Sequence, residues 1–225
     1  MTGRDMSRES RRRKTEHSVH KFQKVERSVD HLQYFYYQCK ECYKVQYPVL
    51  ELQKLWDYSK TNQFMFLHDW ALAILYALPN VPVFGITSFV KQMFLATMEF
   101  AQEEKIPSEN PGFRAYNFGP YAERIEDVVI ALEDGGLVHV FGIKSPNGQR
   151  FELSDKGKQI AKTSFGKLNT EQQAKLRLQR VNWNQWGVDG LEKYIYRKWP
   201  KYTDKSHVLD RVLHRRRLGK VKWVD

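Results

Sequence analysis

With 225 residues, 41% of them hydrophobic and 14% aromatic, the chain is long enough for one good core and too apolar to be wholly disordered. The polar, basic first fifteen residues lack the apolar centre of a secretory signal, and no stretch offers the roughly 18 uninterrupted apolar residues of a membrane span, so a cytoplasmic protein without a membrane partner is expected. The net charge of +11 sits at the ends: residues 1–27 hold nine Lys/Arg against four Asp/Glu, residues 201–225 eight against three, and the rest twenty against nineteen.

Basic ends on a near-neutral body suit a polyanion, because neutralising phosphates releases condensed counterions. Tails that merely keep a protein soluble are the alternative. Residues 1–18 read as a basic disordered arm containing Arg11, Arg12, Arg13 and Lys14. Over residues 19–66, Phe22, Val25, Val29, Leu32, Phe35, Val49, Leu52 and Leu55 recur at spacings of mostly three and four, which predicts one or two amphipathic helices broken near Pro48. Residues 67–78 predict a strong helix stopped by Pro79-Asn80, and a second helix follows Gly85 with Thr87 or Ser88 as its cap. Phe89, Met93, Phe94, Ala96, Thr97 and Phe100 form its inward face. A Pro- and Gly-rich loop leads to a short extended piece at 113–118, and Gly119-Pro120-Tyr121 opens a third helix, with Pro120 suited to its first turn. Gly135-Gly136 end that helix. Residues 137–141 and 150–153 then form a β-hairpin across the turn Ser145-Pro146-Asn147-Gly148, and Ser154-Asp155 cap a further helix. Helix, helix, helix, hairpin, helix is the order of a winged helix. The expected fold is an α-rich α+β winged helix-turn-helix core at 67–166, with a helical, basic C-terminal extension at 167–225.

Two stretches carry a family resemblance. Leu132, Gly136, Leu137, Phe151, Leu153, Ser154 and Gly157 resemble the wing signature of PadR-like regulators. Thr87, Phe89, Lys91, Phe94 and Leu95, followed by Tyr116, Phe118, Gly119, Pro120 and Tyr121, resemble the Panacea (SocA-like antitoxin-associated) family. The resemblance covers roughly residues 85–165, with an echo to 206 in the segment LEKYIYRKWPKYTDKS. It implies a winged-helix fold and a regulatory, antitoxin or interaction role.

The charges divide between two functions. A DNA-binding transcriptional regulator would contact double-stranded DNA through the arm (Arg11, Arg12, Arg13, Lys14), the wing (Lys144, Asn147, Gln149, Arg150, Lys156) and the tail (Arg215, Arg216, Arg217, Lys220, Lys222). The third helix points elsewhere: from Tyr121 to Asp134 it has one cation, Arg124, against five acids. Phosphates would repel it, so an antitoxin-like module binding a protein partner through Tyr121, Glu123, Glu126 and Asp127 is the alternative. Cys39 and Cys42, with His17 and His20 upstream, supply donors for a tetrahedral zinc site; two reduced cysteines with no cofactor is the other reading, and the preferred one. Aromatic residues among cations after Trp183 suit either base stacking or core and dimer packing. No nucleophile–base spacing or phosphate-binding glycine loop appears, so no enzyme is expected. Helical extensions beside a winged helix suggest a homodimer.

Overall fold

The computed structural model describes residues 20–41, 43–143 and 148–214. The chain begins with a three-stranded antiparallel sheet: β1 (Phe22–Val29), β2 (Leu32–Cys39) and β3 (Val45–Gln46), in that order across the sheet. This replaces the helices expected from the spacing of Phe22, Val25, Val29 and Leu32. Those four residues lie on two strands, and Val29 pairs with Leu32 across a two-residue turn in which Asp30 takes φ 49°. The run Tyr34-Phe35-Tyr36-Tyr37 has the aromatic composition of a strand, with Tyr34 and Tyr36 buried on one face. Only α1 (Val49–Ser59), after Pro48, is helical here.

From α2 onward the sequence order is kept. α2 (Leu67–Ala77) is buried on nearly all sides, as its apolar composition requires. It is followed by β4 (Val83–Phe84) and α3 (Ile86–Leu95), which runs through a π-helical turn (Ala96–Phe100) into α4 (Ala101–Glu103). Gly85, not Thr87 or Ser88, precedes α3, and the Ser88 hydroxyl accepts from Gln92 Nε2 at 3.2 Å.

β5 (Arg114–Tyr116) and β6 (Gly119–Tyr121) form a small hairpin, and α5 (Glu123–Asp134) starts only after Ala122. Gly119-Pro120 therefore begins β6 rather than opening the helix. Glycine at 119 is required on two counts. Gly119 has φ 84°, and a Cβ there would lie 2.7 Å from the Tyr196 ring. β7 (Val138–Phe141) and β8 (Arg150–Leu153) follow, then α6 (Asp155–Gly166). The short β4 pairs with β8, giving the sheet order β4-β8-β7. Ser154 caps α6 by accepting from Gly157 N at 2.8 Å, and its hydroxyl donates to Gly136 O at 2.7 Å, tying hairpin to α5.

α7 (Thr170–Lys198) is broken at Gly187, which takes φ 59° and ψ −170°. A 3-10 turn (Pro200–Tyr202) and α8 (Leu209–His214) complete the described residues. α2 packs against α3, α5, α6, α7 and β8. Leu176, Trp183, Leu191, Ile195, Tyr196 and Val212 enter the same core as Trp70, Phe89 and Phe151. A second apolar cluster joins Tyr34, Tyr36, Leu55, Tyr58, Phe64 and Phe66. Among the described residues no helix is long and apolar enough to cross a membrane.

Candidate functional site

A pocket of ≈ 490 Å³ opens between four elements. α3 contributes Ile86, Thr87, Val90 and Lys91; the β5–β6 hairpin contributes Tyr116, Phe118, Gly119, Pro120 and Tyr121. α5 supplies Glu126, Val129, Ile130 and Glu133, and the β7–β8 hairpin supplies Val140, Gln149 and Phe151. α5 makes this wall because Ile125 and Leu132 anchor it to the core, while Val129, also buried, borders the cleft beside Glu126, Ile130 and Glu133. The lining is mainly apolar, with a few polar groups, which is the usual make-up of a binding cleft. Ile130 and Phe118 reach from the pocket to the exposed surface, about half exposed each.

The polar groups divide between rim and floor. At the N-terminal end of α5, Glu123 pairs with Arg114 at 3.1 Å and Lys44 at 3.9 Å. Arg114 lies over the stacked rings of Tyr116 and Tyr121, whose centroids are 4.9 Å apart. Burial, then Glu126, pushes the Tyr121 phenol well above its ordinary range, so it stays protonated and hydrogen-bonded to that carboxylate. Asp127, Glu133 and Asp134 are exposed. Arg124, the single cation of α5, is turned away: it binds Glu109 and the Asn110 carbonyl and lies over Tyr47. Lys91 is at the floor, buried, with Nζ donating to Pro120 O at 3.1 Å. Loss of hydration holds its ammonium down at about 8, opposed by Glu192 on α7.

Of the residues expected to bind DNA, Gln149, Arg150 and Lys156 are described. Arg11, Arg12, Arg13, Lys14, Lys144, Asn147, Arg215, Arg216, Arg217, Lys220 and Lys222 lie outside the described residues. The three that are described have intramolecular roles. Gln149 lines the pocket, and its carbonyl accepts from Gly85 N at 2.7 Å. Arg150 pairs with Glu152 at 2.6 Å and lies over Phe141. Lys156 donates to Gly135 O at 3.0 Å, at the C-terminal end of α5 where a cation is favoured.

His17 and Cys42 of the zinc reading also lie outside the described residues. Cys39 is buried at the end of β2, and His20 lies 5.4 Å from the Phe22 ring. No group of three His, Cys, Asp or Glu suited to a metal occurs among the described residues. Of the C-terminal aromatics, Trp183 and Tyr196 are core residues, and Trp199 and Tyr202 pack edge-on against Phe94. Trp199 and Tyr202 are half-buried.

Sequence reasoning did not single out Lys91 as a functional residue, although it stands in the family-like motif. The signal was present: one lysine on a helix whose neighbours Phe89, Val90, Met93 and Phe94 are all buried. Compared with known proteins, the sequence matches no family model, no curated protein and no solved structure.

Proposed function

We propose that the protein is a winged-helix interaction module whose groove takes a segment of a partner protein. In this reading α2, α3 and α5 are the three helices, β4 the short strand between the first two, and β7–β8 the wing. The β5–β6 hairpin is an insertion before the third helix. The Panacea-like motifs of residues 85–165 support the same reading, since they imply an antitoxin or interaction role.

The observation that carries it is the character of α5. Where a DNA-reading helix would offer cations, α5 offers Glu126, Asp127, Glu133 and Asp134 beside an apolar cleft. Phosphates on both sides of a DNA groove would repel such a helix. A cleft of this kind suits an amphipathic segment that lays apolar side chains into it and basic ones along its rim. A display library of random dodecapeptides panned on the full-length protein tests this. Enrichment is expected for sequences mixing apolar residues with Lys/Arg, binding at least about tenfold more weakly to the variant E126K/E133K, a difference of ~1.4 kcal/mol or more. Equal binding to that variant would remove the groove from consideration.

A second reading is favoured by the charge distribution: the two ends carry nearly all the excess positive charge. They suit phosphate contact with duplex DNA. Fluorescence anisotropy across a salt series should then show a steep slope that E126K/E133K leaves unchanged. Salt-insensitive binding would sink it.

A further inference from the structure

The floor of the groove adds a requirement on what enters it, and it rests on the docking reading above. Lys91 is 2% exposed and stands on α3 amid buried apolar side chains. A lysine ammonium has three N–H donors. Among the described residues, Pro120 O is the only acceptor that the Lys91 ammonium bonds. Glu192 of α7 acts on it electrostatically, without an ion pair between the two. A buried cation in so apolar a setting is normally paired, because removing it from water is costly. Lys91 is one of the residues lining a cleft whose apolar walls include Val90, Val129 and Phe151.

We propose that the segment docked in this groove delivers the carboxylate of an acidic side chain to Lys91 Nζ, with an adjacent apolar side chain against Val90, Val129 and Phe151. The rim sets the flanks. Glu126 and Glu133 stand on the α5 wall, so basic residues on either side of the inserted acid meet carboxylates there. The recognised pattern is basic–apolar–acidic–apolar–basic. A wholly basic segment would satisfy the rim and leave the floor unmatched.

Three fluorescein-labelled peptides test this on the full-length protein: Lys-Phe-Glu-Phe-Lys capped at both ends, its Gln isostere, and the Gln peptide extended by a terminal glycine with a free carboxylate. The Glu peptide is expected to bind at least about tenfold more tightly than the capped Gln peptide, as for a charge-assisted hydrogen bond in a desolvated site. In Lys91→Met, which keeps side-chain length, that advantage disappears, and a cooperative circular-dichroism melt shows separately that the variant is folded. Weak binding of the free-carboxylate peptide is expected; binding as tight as that of the Glu peptide would overturn the acidic side chain and assign the anion to a polypeptide terminus. Equal affinities for the Glu and capped Gln peptides, both lost in E126K/E133K, would overturn the carboxylate and leave the docking reading standing. Absence of binding by all three peptides would overturn the carboxylate too, and the library panning then decides the docking reading separately.

Discussion

Gly157 and Lys91 show how single positions constrain the molecule. A Cβ at Gly157 would lie 1.8 Å from the Leu137 carbonyl oxygen, a backbone atom that cannot move aside without shifting the hairpin. Gly157→Ala should therefore cost at least ~2 kcal/mol in urea denaturation. Gly166→Ala, at the open end of α6 where nothing lies near, should be neutral or stabilise by up to ~1 kcal/mol. Equal effects at the two positions would refute the packing argument. Lys91 makes a pH-dependent contribution. Burial lowers its pKa from 10.5 to about 8. Between those values the unfolded protein holds a proton that the folded one has lost, so the folded state gains stability as pH rises through that window. Wild type should gain about 2 kcal/mol more than Lys91→Met between pH ~8 and ~10, by thermal melts at each pH. Identical pH slopes would contradict the burial of that ammonium.

Elements differ in how far their sequences reveal them. α2, α5 and α6 were legible because helical spacing, caps and terminal glycines agree with one another. The N-terminal hairpin was not: its apolar residues happen to recur at three and four, and the strand signal in Tyr34–Tyr37 competes with that period. Pro120 misled for a related reason, since proline suits both a first helical turn and a short outer strand. The groove could not be read at all, because its walls come from two helices and two hairpins whose mutual packing no local pattern gives. The joint between α2 and α6 is likewise non-local. Asp69 accepts from Phe66 N at 3.1 Å, Ser164 Oγ at 2.7 Å and Lys167 Nζ at 2.6 Å. Asp69→Ala removes the counter-charge of Lys167, leaving it the Phe64 carbonyl, and strands the Ser164 hydroxyl, so a loss of ~2 kcal/mol is expected. A denaturation midpoint unchanged from wild type would show that α2 and α6 are held by apolar packing alone.

At the scale of the whole molecule, the core does not stop where the motifs do. α7 and α8 supply Leu176, Trp183, Leu191, Ile195, Tyr196 and Val212 to the cluster around α2. Arg180, with no exposed surface, donates to the Val81 and Pro82 carbonyls and binds α7 to the turn before β4. A fragment of residues 67–166 should accordingly lack a cooperative thermal transition by circular dichroism, whereas residues 20–214 should keep one. A sharp transition in the shorter fragment would show that the helical extension is an accessory. In the proposed reading, the acidic helix beside the groove repels phosphate, and the excess positive charge at the two ends of the sequence attracts it. Amide hydrogen exchange on the full-length protein, with a peptide selected from the display library and separately with duplex DNA, tests that division most directly. The peptide is predicted to protect residues 86–91, 116–121 and 126–133, and DNA to leave them unprotected. Protection of α5 by DNA, or peptide protection confined to other segments, would contradict it.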